Sequence, residues 1–373
     1  MPFLKREDSL SNPLSRPLAE GRTLPSFRSG NGFSSFLLLL VLCIFLFPIL
    51  SSAQDISNVA LENIGLPNWS GQDYSPQISP DGQFLIFQSD RPGSGESANL
   101  WFSANKNFRD RLGRMEWTIP IPLRFPMDSA PSDTMRLVRP PGSMADPPGA
   151  FSVNTDNFEG MPFLVFHENR PVEIYFTSLR GPERPGRDGL NIYFSRYRDN
   201  RWSAPEQINI LNTDFNERMP CLSADGRKIY FVSDRPGGFG NYDIWYSERN
   251  MRTGQWAEPV NAGEAWNTAY NEISPGLSPD GKMFFLSSDR PGGFGHFDIY
   301  FSSANGTSWE KLENLGEPFN SPRDDETISM TSDRLWAFLA SDRRSLDAEG
   351  RFDIYRVRVP ERLLMRQEVL FSG

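Results

Sequence analysis

A single motif, written five times, sets what this chain can fold into. Residues 223–236 read SADGRKIYFVSDRP, and residues 278–291 read SPDGKMFFLSSDRP. Residues 79–92 read SPDGQFLIFQSDRP, residues 331–343 read TSDRLWAFLASDR, and a worn copy, ENRPVEIYFTSLR, fills 168–180. A period near 50 residues signals units that cannot bury their own faces and must stack on one another. Within each unit a short segment such as MPCLS at 219–223 leads into a Ser-x-Asp-Gly turn. Asp and Gly there tolerate the backbone angles of a tight hairpin. A strand of β-branched and aromatic residues follows, such as KIYFVS at 228–233. An Asp-Arg-Pro-Gly loop then leads to a third strand: NLWFS at 99–103, NIYFS at 191–195, DIWYS at 243–247, DIYFS at 298–302 and DIYRV at 353–357. Trp117, Trp202, Trp256 and Trp309 mark an outer, fourth strand.

Four short antiparallel strands per unit predict an all-β propeller of five four-stranded blades. No unit shows a helical apolar period, which argues against a solenoid of helices. The 30 Gly and 31 Pro agree with many tight turns. ALENIG at 60–65 resembles KLENLG at 311–316, and the fifth unit has no Trp-marked outer strand of its own. Residues 57–63 are therefore expected to close the last blade, with the tail 363–371 as the competing segment. The interval from Trp117 to Trp202 is 85 residues, against 54 and 53 for the next two. The excess, about 124–155, is rich in Pro and reads as a surface loop or a partner-binding loop; with the tail it could also build an irregular sixth blade.

Residues 36–50, FLLLLVLCIFLFPIL, form an apolar run of 15 residues after a basic leader. That is short of the roughly 20 residues of a bilayer span. Ser51-Ser52-Ala53 follows, so residues 1–53 read as a long leader with a secretory signal, and 54–373 as the propeller domain. An uncleaved signal is the one route to a membrane. The net charge of −9 disfavours nucleic acid as a partner. With two His and two Cys, zinc sites and Cys–His catalysis are nearly excluded. Cys221 sits in an apolar strand as a small buried hydrophobe.

The Ser-Pro-Asp-Gly…Ser-Asp-Arg-Pro-Gly-Gly…Asp-Ile-Tyr pattern resembles the TolB-type, WD-like propeller repeat of bacterial envelope proteins, over residues 57–360. That resemblance implies a periplasmic or outer-membrane-associated propeller acting as a monomeric protein-interaction module, its partner an envelope protein or peptide.

Three columns recur across the repeats. Asp73, Glu159, Glu217, Glu272 and Asp325 begin the inner strands and would ring one mouth of the channel, where they could bind a cation or a basic peptide. Arg91, Arg180, Arg235, Arg290 and Arg343 could instead pair with those acids and stitch the ring. Asp90, Asp234, Asp289 and Asp342 bracket the Gly-rich loops together with Asn99, Asn191, Asp243, Asp298 and Asp353. They are expected to fix those loops through backbone N–H bonds, with Ca²⁺ as the alternative and no other cofactor expected. Phe239 and Phe294, in Gly-Gly-Phe-Gly, either tuck between blades or offer apolar anchors to a partner. No catalytic residue is assigned. The rival function is a secreted, carbohydrate-active propeller that cleaves or binds glycans with channel carboxylates.

Overall fold

A computed structural model describes residues 60–92, 97–110, 113–123, 153–181, 189–198, 201–306 and 308–364. The apolar run at 36–50, its expected cleavage point, most of the 124–155 insert and the tail beyond 364 lie outside the described residues. Among the described residues no helix is long and apolar enough to cross a membrane.

The described residues form five antiparallel sheets. Blade I runs Asp73–Ile78, Phe84–Ser89, Asn99–Ala104 and Ile121–Pro122 from the inside out. Blade II runs Glu159–His167, Arg170–Ser178, Asn191–Arg198 and Glu206–Gln207. Blade III runs Glu217–Leu222, Lys228–Ser233, Asp243–Glu248 and Val260–Asn261. Blade IV runs Glu272–Leu277, Met283–Ser288, Asp298–Asn305 and Glu313–Asn314. Blade V takes Asp325–Met330, Trp336–Ser341 and Asp353–Arg358 from the end of the chain and Leu61–Asn63 from its beginning. This is the five-bladed propeller that the repeats predict.

The apolar strands are continuous because each blade packs on both sides. In blade III, Ile229 and Phe231 pack with Tyr175 and Ile192 of blade II. The alternate residues Tyr230 and Val232 pack with Phe284 and Leu286 of blade IV. Three further buried clusters fill the interfaces IV–V, I–II and V–I. A period-2 strand thus feeds two cores at once.

Closure of the ring reproduces the geometry of an ordinary blade. Glu62 and Asn63 pair with Arg356 and Tyr355, as Glu313 and Asn314 pair with Phe301 and Tyr300 in blade IV. Asn63 Nδ2 donates to Asp353 and Asn314 Nδ2 to Asp298, at 3.1 and 3.0 Å. The Asn63 and Asn314 side-chain carbonyls each accept the N–H of a following Gly at 2.8 Å.

Two features differ from the sequence reading. The Trp residues stand beside the outer strand rather than in it, and in blades II and IV Trp202 and Trp309 belong to a fifth, two-residue strand of the sheet that also pairs with the third strand. Trp117 and Trp256 make isolated bridges, and Trp202 and Trp309 join separate short pairings, all at the far end of the third strand. The outer strand of the sheet begins four residues later. In three blades Pro120, Pro205 or Pro259 stands in the gap, and its missing N–H breaks the ladder. Each inner strand also carries a bulge. Its pivot is Ser75, Met161, Met219, Ser274 or Thr327, held at φ of 51, 53, 55, 56 and 44°. Left-handed angles cost a residue with a Cβ about 1–2 kcal/mol, so the sheet holds each pivot against its own preference.

Candidate functional site

All five inner strands start at one end of the propeller, and the loops between second and third strands end there too. The acids that open those strands are Asp73, Glu159, Glu217, Glu272 and Asp325, and none has any exposed surface. Each points into its own blade and meets that blade's Arg. The Arg–carboxylate distances are 2.6 Å for Arg91–Asp73, 3.0 Å for Arg180–Glu159 and 3.1 Å for both Arg235–Glu217 and Arg290–Glu272; Arg343 pairs with Asp325 in the same way. The Arg Nε donates to a Ser two residues earlier in the chain, at 2.8–3.0 Å. Its Nη2 also donates to the main chain of the segment leading into the strand, as Arg290 does to the Trp266 carbonyl at 2.7 Å.

That segment holds a column absent from the sequence reading. Asn68, Asn154, Asn212, Asn267 and Asn320 stand five residues before the acids. Each side-chain amide accepts the N–H and donates to the C=O of one third-strand residue in the preceding blade: Ile354, Leu100, Ile192, Ile244 and Ile299, at 2.8–3.0 Å. The Asn thus behaves as one residue of added strand. Acid and Arg hold the lead-in, and the Asn carries it to the neighbouring blade. The residue after each Asn donates its N–H to the acid, as Thr268 does to Glu272 at 2.7 Å.

The third column divides by task. Asp234 and Asp289 bind the N–H and side-chain amide of Asn216 and Asn271, and so fix the lead-in rather than the Gly-rich loop. Asp90 accepts from Gln72 N and Trp69 Nε1, and Asp342 from Asp324 N. The loops themselves are fixed by Asp243, Asp298 and Asp353, which accept the N–H groups of Phe239 and Gly240, Phe294 and Gly295, and Glu349 and Gly350. Asn99 and Asn191, their counterparts, are buried at the start of the third strands. Among the described residues no group of three or more His, Cys, Asp or Glu is placed to hold a metal ion.

Phe239 and Phe294 stand on these fixed loops, 50% and 52% exposed. A Cβ on Gly240 would overlap the Tyr270 carbonyl, and one on Gly295 the Arg323 carbonyl. The glycines therefore let each loop lie on the next blade's lead-in, with the Phe turned outward. Leu66, Tyr270 and Leu346 are exposed on the same end.

One constellation breaks the fivefold pattern. The residue after each acid is Tyr74, Gly160, Arg218, Ile273 or Glu326. Tyr74 of blade I donates its hydroxyl to Glu326 of blade V, and both are buried. Arg218 stacks on the Tyr242 ring, 4.0 Å from its centroid. Burial pushes the Glu326 carboxyl up to about 7, with the Asp324 and Asp342 charges acting in the same sense; the Tyr74 hydrogen bond and the Arg218 charge oppose it. Burial likewise pushes Asp73 up to about 6 despite Arg91, and Cys221 is held well above the ordinary thiol range.

The folded protein holds the Glu326 proton to a higher pH than the unfolded chain does. Its stabilising contribution is therefore full below about pH 4.5 and declines as pH rises towards 7. Urea unfolding at pH 5 and pH 8 is expected to show the Glu326→Gln variant losing about 2–3 kcal/mol less than the parent over that range. Equal losses in both proteins would contradict the assignment.

No family model matches the chain, and no curated protein matches it. Solved structures similar to it include TolB from Acinetobacter baumannii, with 15% identity and a TM-score of 0.35 over 78% of this chain and 55% of that one. The chain thus spans about half the length of that protein. A putative TolB from Agrobacterium tumefaciens aligns at 14% identity and TM-score 0.40, over 80% of this chain and 90% of that one. An α-L-arabinofuranosidase from Lactobacillus brevis aligns at 14% and 0.44, over 80% and 92%.

Proposed function

We propose that this chain is an exported, non-enzymatic propeller that binds a protein or peptide of the bacterial cell envelope through the end bearing the Gly-rich loops. The observation that carries this reading is the pair Phe239 and Phe294. Two large apolar side chains are half exposed on loops whose main chain is pinned by Asp243 and Asp298. Anchors held rigidly before binding lose little entropy on contact, and aromatic anchors dominate binding energy at protein interfaces. The leader and apolar run at 1–53 support export. The five repeated carboxylates are spent on internal bonds, so the apolar loops rather than the acids are the surface offered to a partner.

The glycan-cleaving alternative needs two carboxylates facing one bond. Among the described residues no acidic side chain lines the channel cavity. The reading above is therefore preferred.

Crosslinking in intact envelopes, followed by mass spectrometry, tests it. A defined partner is expected with the parent chain and not with a Phe239→Ser, Phe294→Ser variant of unchanged melting temperature. Loss of both anchors should weaken the isolated complex about 100-fold. Equal crosslinking by both proteins, or turnover of an oligosaccharide, would overturn the reading.

A further inference from the structure

The Asp column that fixes the lead-ins changes character in blade V. The residue before each inner-strand acid is Gln72, Phe158, Asn216, Asn271 or Asp324. In blades III and IV it is an Asn whose side-chain amide donates to Asp234 or Asp289, at 3.1 and 2.7 Å. Blade V keeps the main-chain part of this motif, with Asp324 N donating to Asp342 at 2.9 Å. It places a carboxylate where those two blades place an amide. Burial pushes the Asp324 carboxyl above its ordinary range, and the Asp342 charge acts in the same sense; the Phe297 N–H, His296 and Arg323 oppose it. His296 Nδ1 stands 3.9 Å from Asp324 Oδ1, and neither carboxylate is bridged by a Lys or Arg of the described residues.

This pair lies beside one of the exposed aromatic side chains. Phe297 N donates to Asp324 at 3.1 Å, from the loop that carries Phe294. A Cβ on Gly316, in the same lead-in as Asp324, would stand 3.9 Å from the Phe294 ring. The matching loop of blade III, bearing Phe239, lies on a lead-in whose pair is Asn271 and Asp289. Two like loops thus differ in their border: only that of Phe294 meets two carboxylates. The whole end leans the same way. Among the described residues of its connecting segments, Asp214, Glu264, Glu317, Asp347 and Glu349 are exposed, against Arg344, Arg351 and His296. At the opposite end turn acids are paired: Arg227 stands 3.6 Å from Asp225, and Arg334 3.0 Å from Asp280.

We infer that the partner presents a basic segment to this end, and that a Lys or Arg side chain of that segment is received by Asp324 and Asp342 beside Phe294. The inference rests on the reading that this end meets a partner. A cation between the two carboxylates relieves their repulsion, and a guanidinium has donors for both. Complementary charge also speeds encounter and fixes register. An amide in place of Asp324 would serve the fold better, as it does in blades III and IV. The carboxylate is a burden on the free protein that a cationic partner removes.

A random peptide display library, selected on the full chain, is the probe. Recovered sequences are expected to be enriched in Lys and Arg next to apolar residues. Asp324→Asn restores the amide of blades III and IV. It should weaken a recovered peptide about tenfold or more, while raising the melting temperature by about 2 °C. Glu168→Lys, on the exposed turn of blade II at the opposite end, should leave binding unchanged. No recovered peptide, peptides without basic enrichment, binding indifferent to Asp324→Asn, or a lower melting temperature in that variant would each overturn the inference. Binding lost in the Phe239→Ser, Phe294→Ser variant but kept in Asp324→Asn would overturn it alone and leave the Phe loops as the docking surface. The converse would remove the Phe anchors from the reading and keep the acid pair.

Discussion

Replacement of Glu272 by Ala is expected to destabilise the propeller by about 3–5 kcal/mol, because it leaves a buried cation without its partner. Glu272 has no exposed surface and receives four hydrogen bonds: Thr268 N at 2.7 Å, Thr268 Oγ1 at 2.6 Å, Ser288 Oγ at 2.8 Å and Arg290 Nη2 at 3.1 Å. Alanine strands all four donors, and Arg290 remains tied to Trp266 and Ser288 in a site water does not reach easily. Removing both partners should cost less than the sum of the two single losses, since no lone charge is then left. Urea unfolding of Glu272→Ala, Arg290→Ala and the double variant measures this. A Glu272→Ala loss below about 1 kcal/mol, or strictly additive losses, would show that the pair does not hold the lead-in.

The second large effect concerns ring closure. A chain beginning at Pro67, compared with one beginning at Gln54, is expected to melt at least about 10 °C lower. It loses the three ladder pairs of Leu61–Asn63 with Tyr355–Val357, the buried Ile64, and the Asn63 bonds to Asp353, Gly65 and Asn68. It also uncovers the apolar flank of blade V, where Leu61 packs against the cluster containing Tyr355 and Val357. Should the truncated chain aggregate, Asn63→Ala within the intact chain supplies a milder measure, expected to cost about 1–2 kcal/mol. Identical melting of the two chains, or no effect of Asn63→Ala, would mean that the last blade closes by other means.

What the letters disclose depends on whether a feature repeats. Blade number, strand order and the N-terminal closure were legible because burial on both faces forces the same apolar strand into every unit, and because ALENIG repeats KLENLG. The Arg and acid columns were legible for the same reason. The Asn column was present at a constant five-residue spacing but hid in the connecting segments, where Trp69, Thr155, Thr213, Thr268 and Ser321 follow it and no apolar pattern aligns the copies. Trp is the larger landmark but stands four residues before the outer strand, with a Pro in the gap in blades I, II and III. The left-handed pivots were invisible for want of glycine. Tyr74, Arg218 and Glu326 could not be grouped at all: each occurs once, on three different blades, and only the folded ring relates them.

The outer strands have a consequence for how anything can be recruited. Four of them are two residues long and the fifth is three, and Pro occupies or precedes the edge in blades I, II and III. Strand addition requires an uninterrupted row of free amides and carbonyls along a sheet margin. This rim presents only fragments of one, too short to template an incoming extended peptide. Among the described residues the perimeter is thereby poorly suited to polymerisation through its edges.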